Sequence, residues 1–89
     1  LIPGKFADLV VLLKSGKFEV FEIKTKPTAR ECIREAMGQL LEYSYWPGSQ
    51  NVEKIWIVGP NPTTEKTEEY LHLLRDRFRM PIGYIHQPD

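Results

Sequence analysis

At 89 residues the chain is the size of one compact domain, and its 42% hydrophobic content supplies a core and excludes a disordered polymer. Twelve Lys/Arg balance twelve Asp/Glu to a formal net charge of zero, which excludes a protein that coats nucleic acid through bulk positive charge. No apolar run approaches the roughly 20 residues of a membrane-spanning helix, and there is no secretory signal pattern. The one cysteine cannot form a disulfide within the chain, so a reducing, cytoplasmic setting is expected. The first residue is Leu1 rather than methionine, so an excised fragment of a longer protein or a processed product is expected, with residues 1–89 forming a single domain. Charge is unevenly spread: residues 1–34 carry net +3 and the remainder −3.

Ala7 to Leu13 is an aliphatic run interrupted near its start by Asp8, and Lys17 to Thr25 is a second strand-forming run; Lys14-Ser15-Gly16 between them signals a hairpin turn. Pro27 ends the second run. Thr28 followed by Glu31 makes a capping box for a helix to about Tyr45, with Ile33, Ala36, Met37, Leu40, Leu41 and Ser44 at helical spacing. Pro47-Gly48 stops it. Ile55 to Val58 predicts a short, covered, parallel strand closed by Gly59-Pro60. Thr63 or Thr64 caps a second helix with Tyr70, Leu71, Leu74 and Phe78 facing inward, and Ile82 to His86 is a last strand. The fold class predicted is α/β: a hairpin, then helix-strand-helix-strand, in a mixed central sheet with helices on its faces.

Within the second run, Glu22, Lys24 and Lys26 alternate and so project from one side of a strand. Turn length decides which residue of the first strand meets Glu22. A two-residue loop sets Asp8 opposite Ile23; a three-residue loop sets Asp8 opposite Glu22, with Cβ atoms about 4.5–5.5 Å apart. Three-residue hairpins place a left-handed residue at their end, and Gly16 suits that position, so the second register is favoured. Two facing carboxylates repel unless one is protonated or a cation lies between them. Oxygen donors suit Mg²⁺ or Mn²⁺, and Lys24 on the same face would contact a phosphate oxygen, orient the attacking water or stabilise the negative charge that develops during the reaction. The plainer alternative is a solvated Glu-x-Lys pair on a strand end.

The segments FADLVVLLKSGKFEVFEIKTK and REAMGQLLEYSYW together resemble the PD-(D/E)XK nuclease superfamily, the restriction endonuclease-like fold, over about residues 7–60. Asp8 matches the acid of the first strand and Glu22-Ile23-Lys24 the (D/E)XK element. Gln39 and Tyr43 resemble the Q-x-x-x-Y element of one branch. The resemblance implies metal-dependent hydrolysis of phosphodiester bonds, most simply in DNA, with Asp8, Glu22 and the Ile23 carbonyl as ligands of Mg²⁺ (or Mn²⁺). Lys24 would assist the attacking water, and Gln39 and Tyr43 would position the lysine or the nucleic-acid backbone. Asp8, Glu22, Lys24 and Gln39 are the catalytic candidates. Ala7 stands where the family name has proline, and Leu1 to Phe6 are too few for the family's usual first helix, so a homodimer or an upstream domain would complete the site. The alternative function is a catalytically inactive module of the same fold that binds nucleic acid or a protein partner; a third is a scaffold domain of a larger polypeptide.

Lys26, Arg30 and Arg34, with Tyr43, are candidates for contact with a nucleic-acid backbone. Tyr45 and Trp46 are expected to pack at the sheet edge, Trp56 in the core, and Cys32 as a buried thiol. His72 and His86 are too far apart for a zinc site. The loop Val58-Gly59-Pro60-Asn61-Pro62 has neither phosphate-binding glycine motif, and its prolines remove amide donors.

Overall fold

The computed structural model describes residues 8–48 and 51–88. Six elements follow in the order β1 (Leu9–Leu12), β2 (Phe18–Ile23), α1 (Ala29–Tyr45), β3 (Val52–Gly59), α2 (Glu65–Phe78) and β4 (Ile82–His86). They form a mixed four-stranded sheet in sequence order, with β1 antiparallel to β2 and the remaining neighbours parallel. The α/β class and element order match the sequence expectation. Ala7, expected to open the first strand, lies outside the described residues, as does the stretch Leu1 to Phe6.

The hairpin has the three-residue loop. Gly16 donates its amide to Leu13 O at 3.0 Å, and Leu13 donates to Lys17 O at 2.8 Å. Gly16 has φ +87°, a left-handed conformation that costs glycine nothing and other residues strain. The resulting register pairs Leu9 with Phe21 and Leu12 with Phe18. Continued by one residue, it brings Asp8 level with Glu22.

Both helices cap as expected at their N-termini: Thr28 Oγ1 accepts from Glu31 N at 3.1 Å, and Thr64 Oγ1 from Thr67 N at 3.2 Å. They do not lie on opposite faces. The crossovers β2-α1-β3 and β3-α2-β4 both step the same way across the sheet. Two right-handed crossovers in one direction must place both helices on one side. Val20, Ile55 and Ile82 form a row under them, joined in one core by Cys32, Ile33, Ala36, Leu40, Leu71 and Leu74.

The opposite face carries Leu9, Val11 and Ile23, which are 53%, 39% and 56% exposed, beside Phe21, Val58 and Ile85. Trp56, expected in the core, is on this face and half-buried. Its indole N–H donates to Glu19 Oε2 at 3.2 Å, Lys54 Nζ sits 4.9 Å from its ring centroid, and the ring fills the space a Cβ on Gly83 would occupy. Tyr70, Phe78 and Leu41, expected inward, are 41%, 64% and 46% exposed. The buried stripe of α2 is narrower than its apolar pattern, consisting of Thr67, Leu71 and Leu74, because the helix lies at the β4 side of the sheet. Tyr45 and Trp46 also face outward. Strand β3 starts earlier than expected, at Val52, where Phe18 N donates to Asn51 O at 3.0 Å and the ladder with β2 slips by one residue.

The loops leaving β2 and β3 are tied together near the core. Tyr84 donates its hydroxyl to Asn61 O at 2.6 Å, and Asn61 Nδ2 donates to Pro27 O at 2.6 Å. A Cβ on Gly59 would strike the Tyr84 hydroxyl and come within 3.1 Å of Cys32 Sγ. Gly59→Ala therefore forces Tyr84 off Asn61. We expect it to cost about 1–3 kcal/mol by overpacking, lowering Tm by about 4–8 °C per kcal/mol in thermal unfolding of a domain this size.

Candidate active site

Glu22 occupies the helix-facing row of β2, one step beyond Val20, and is 2% exposed. A carboxylate there needs partners, because an isolated buried charge costs several kcal/mol or is neutralised by protonation. Helix α1 supplies one: the Tyr43 hydroxyl donates to Glu22 Oε1 at 2.8 Å. Lys24 supplies another, with Nζ 3.7 Å from Glu22 Oε2. The same ammonium donates to Gln39 Oε1 at 2.7 Å and lies 3.9 Å from Glu35 Oε1. Lys26 Nζ completes the series 3.6 Å from Glu35 Oε2.

The pattern has a geometric cause. Side chains two apart on an extended chain repeat about every 6.6 Å, and side chains four apart on a helix about every 6.0 Å. The chain leaves β2, turns and returns along α1, so Glu22, Lys24 and Lys26 meet Tyr43, Gln39 and Glu35 in reverse order. Two nearly equal repeats running antiparallel give three successive contacts, one rung after another. Glu35 was not singled out from sequence. The available signal was its place four residues before Gln39 and eight before Tyr43, on the same side of the helix.

Electrostatics distinguish the groups. Burial raises the Glu22 carboxyl above its ordinary 4.5; the Tyr43 hydrogen bond opposes that rise, the charge of Asp8 adds to it, and Lys24 opposes it again. Burial also raises the Tyr43 phenol above 10, and its bond to Glu22 raises it further, so the hydroxyl stays protonated and donating. Asp8 is exposed at the end of β1, and its Oδ2 accepts the Ile23 backbone N–H at 2.7 Å. This bond holds the Asp8 carboxylate beside the end of β2, where its field reaches both Glu22 and Tyr43.

Asp8, Glu22, Lys24, Gln39 and Tyr43 thus converge, while the other candidates do not. Tyr43 is 2% exposed with its hydroxyl given to Glu22, so it positions that carboxylate and is removed from direct contact with a nucleic-acid backbone. The side chain of Ile23 points to the open sheet face at 56% exposure. Lys26 is ion-paired, and Arg30 and Arg34 lie apart from it in a cleft between the helices, so the three cations form no single track. Cys32 is fully buried, its thiol raised by burial and 3.5 Å from Lys26 O. Among the described residues, no cluster of three or more His, Cys, Asp or Glu side chains is arranged to hold a metal. No helix among them is long and apolar enough to cross a membrane.

No protein-family model, no curated protein and no solved structure matches this chain.

Because the Glu22 carboxyl is raised, its ionisation costs folding free energy. That cost is absent at pH values below the unfolded carboxyl pKa and is incurred as pH rises through the folded one. Glu22→Gln keeps an acceptor for Tyr43 and removes the cost. Its Tm is expected to exceed that of the parent chain at pH 8, with the gap closing towards pH 4; a gap that widens on acidification contradicts this assignment.

Proposed function

We propose that this domain is a metal-dependent nuclease of the PD-(D/E)XK type that hydrolyses phosphodiester bonds of DNA. The observation that carries the reading is the convergence of Asp8, Glu22 and Lys24 at one end of the hairpin, with Lys24 held by Gln39 and Glu22 by Tyr43. The hairpin-helix-strand order and the resemblance in residues 7–60 support a restriction endonuclease-like core.

The donors suit a hard divalent ion. Asp8 and Glu22 offer carboxylate oxygens, the Ile23 carbonyl follows Glu22 directly in the chain, and the mutual repulsion of the acids is what a cation relieves. Mg²⁺ or Mn²⁺ bound by these oxygens would supply positive charge at a scissile phosphate and would acidify a water. The chain's own residues do the rest. Gln39 and Glu35 aim the Lys24 ammonium so that it faces charge accumulating on the phosphate oxygens as water attacks phosphorus and the ester P–O bond breaks. Tyr43 fixes one oxygen of Glu22 and leaves the other turned towards Lys24. Glu22 must be ionised for this work, so activity falls as pH drops through its raised pKa.

A second reading, the same fold binding nucleic acid or a protein without cleavage, is favoured by one observation. Asp8 Oδ2 and Glu22 Oε1 each already accept a hydrogen bond.

Cleavage of plasmid and single-stranded DNA with Mg²⁺ or Mn²⁺ tests the two. The parent chain is expected to show a saturable Mn²⁺ site in calorimetry, and Asp8→Ala and Glu22→Ala are each expected to abolish both that site and cleavage. Lys24→Ala is expected to slow cleavage by about 10²–10³-fold, as loss of an electrostatic stabiliser does elsewhere, while leaving the metal bound. A parent chain that binds no Mn²⁺ and cuts nothing, yet shifts labelled DNA in a salt-sensitive way, establishes the binding module instead.

A further inference from the structure

Away from these acids, α1 and α2 enclose a cleft of about 410 Å³ lined by Arg30, Arg34, Lys66, Thr67 and Tyr70. The two helices follow parallel strands and return on the same side of the sheet, so they run side by side in the same direction. Arg30 and Arg34 stand one turn apart on α1, and Lys66 and Tyr70 one turn apart on α2. All four are exposed, and they face each other across the groove. On α1, Glu35 and Gln39 border the buried stripe of Cys32, Ile33, Ala36 and Leu40 on one flank. At about 100° per residue Arg30 and Arg34 border it on the other, so the cleft is separate from the Glu22–Lys24 site.

The placement of these cations runs against local preference three times. Arg30 is the second residue of α1 and Lys66 the second of α2; helix dipoles favour acids there and disfavour cations. Arg30 and Arg34 are like charges at i,i+4, which repel. The ion pairs among the described residues are Lys24–Glu22, Lys24–Glu35 and Lys26–Glu35, and none involves Arg30, Arg34 or Lys66. Among the described residues, three converging cations thus stand without an ion pair. Conflicts of this kind concentrate where a ligand resolves them.

We propose that the inter-helix cleft is a phosphate-binding site for a nucleotide, free or within a strand. Its phosphate lies between Arg30, Arg34 and Lys66, and its base lies against Tyr70. Guanidinium forks match phosphate oxygens, and an exposed tyrosine ring at the rim offers a stacking surface that every base can use. The site stands independently of the nuclease reading, since it uses none of the residues at the β-hairpin end.

Titration calorimetry at low salt with inorganic phosphate, a 5′-nucleoside monophosphate and a short single-stranded DNA oligonucleotide tests it. The mononucleotide is expected to bind at one saturable site, weakened about tenfold in Arg34→Gln and again in Lys66→Gln, the cost of one charge-assisted contact each. Tyr70→Leu is expected to weaken the nucleotide and leave inorganic phosphate unchanged. Glu22→Gln, which disables the proposed hydrolytic site, is expected to leave mononucleotide binding intact, so the two proposals fail separately. An oligonucleotide that binds more tightly than the mononucleotide, with the advantage lost in Arg34→Gln, identifies a strand as the source; equal affinities identify the free nucleotide. All three probes failing to saturate, or binding that survives Arg30→Gln/Arg34→Gln unchanged in a chain whose circular dichroism is unaltered, overturns the proposal.

Discussion

The site is organised by the need to keep one carboxylate, Glu22, inside the helix-covered side of a sheet. Its row neighbours are apolar: Val20 behind it on β2 and Ile57 beside it on β3. Such a position would ordinarily be filled by valine or isoleucine, and removing water from a carboxylate is expensive. The fold meets that expense with a phenol on one oxygen and an ammonium near the other. Each partner needs its own support. Tyr43 is fixed by burial in the core, and Lys24 by Gln39. The orientation of α1 is therefore set by polar contacts on one flank as well as by the apolar stripe that Ile33, Ala36 and Leu40 press onto the sheet.

Much of this was legible in the sequence, for reasons that are local. Gly16 suits the left-handed position that ends a three-residue loop, and a two-residue loop would favour Asn or Asp where Ser15 stands, so the register could be inferred before any coordinates. The helix starts followed from Thr28 and from the Thr63-Thr64 pair, since a hydroxyl that caps an amide three residues on is a short-range interaction. Glu22 and Lys24 could be named from the strand repeat, whereas Gln39 and Tyr43 were named through the resemblance to a Q-x-x-x-Y element, with which their shared helix face agrees.

What escaped was non-local. That both helices share one side depends on the direction of two successive crossovers, which no short window of residues records. Trp56 has a core composition around it, yet it belongs to the uncovered side and is shielded by Glu19, Lys54 and the bare backbone of Gly83. Tyr70 and Phe78 fit the helical period of α2, but the helix meets too little of the sheet to bury them. Glu35 looked like one more surface acid, because its partners, Lys24 and Lys26, lie in a segment that only the returning chain brings alongside.

Hairpin tips are usually where a chain best absorbs insertions and deletions. The tip formed by Lys14, Ser15 and Gly16 is an exception, because it acts as a parity element. Adding or removing a single residue there would reverse which side of the sheet each β1 side chain occupies. Asp8 would move across to the open side, away from Glu22, while the apolar content of the strand stayed the same. Length at a solvent-exposed turn is thus under as tight a constraint as the identity of the acids themselves.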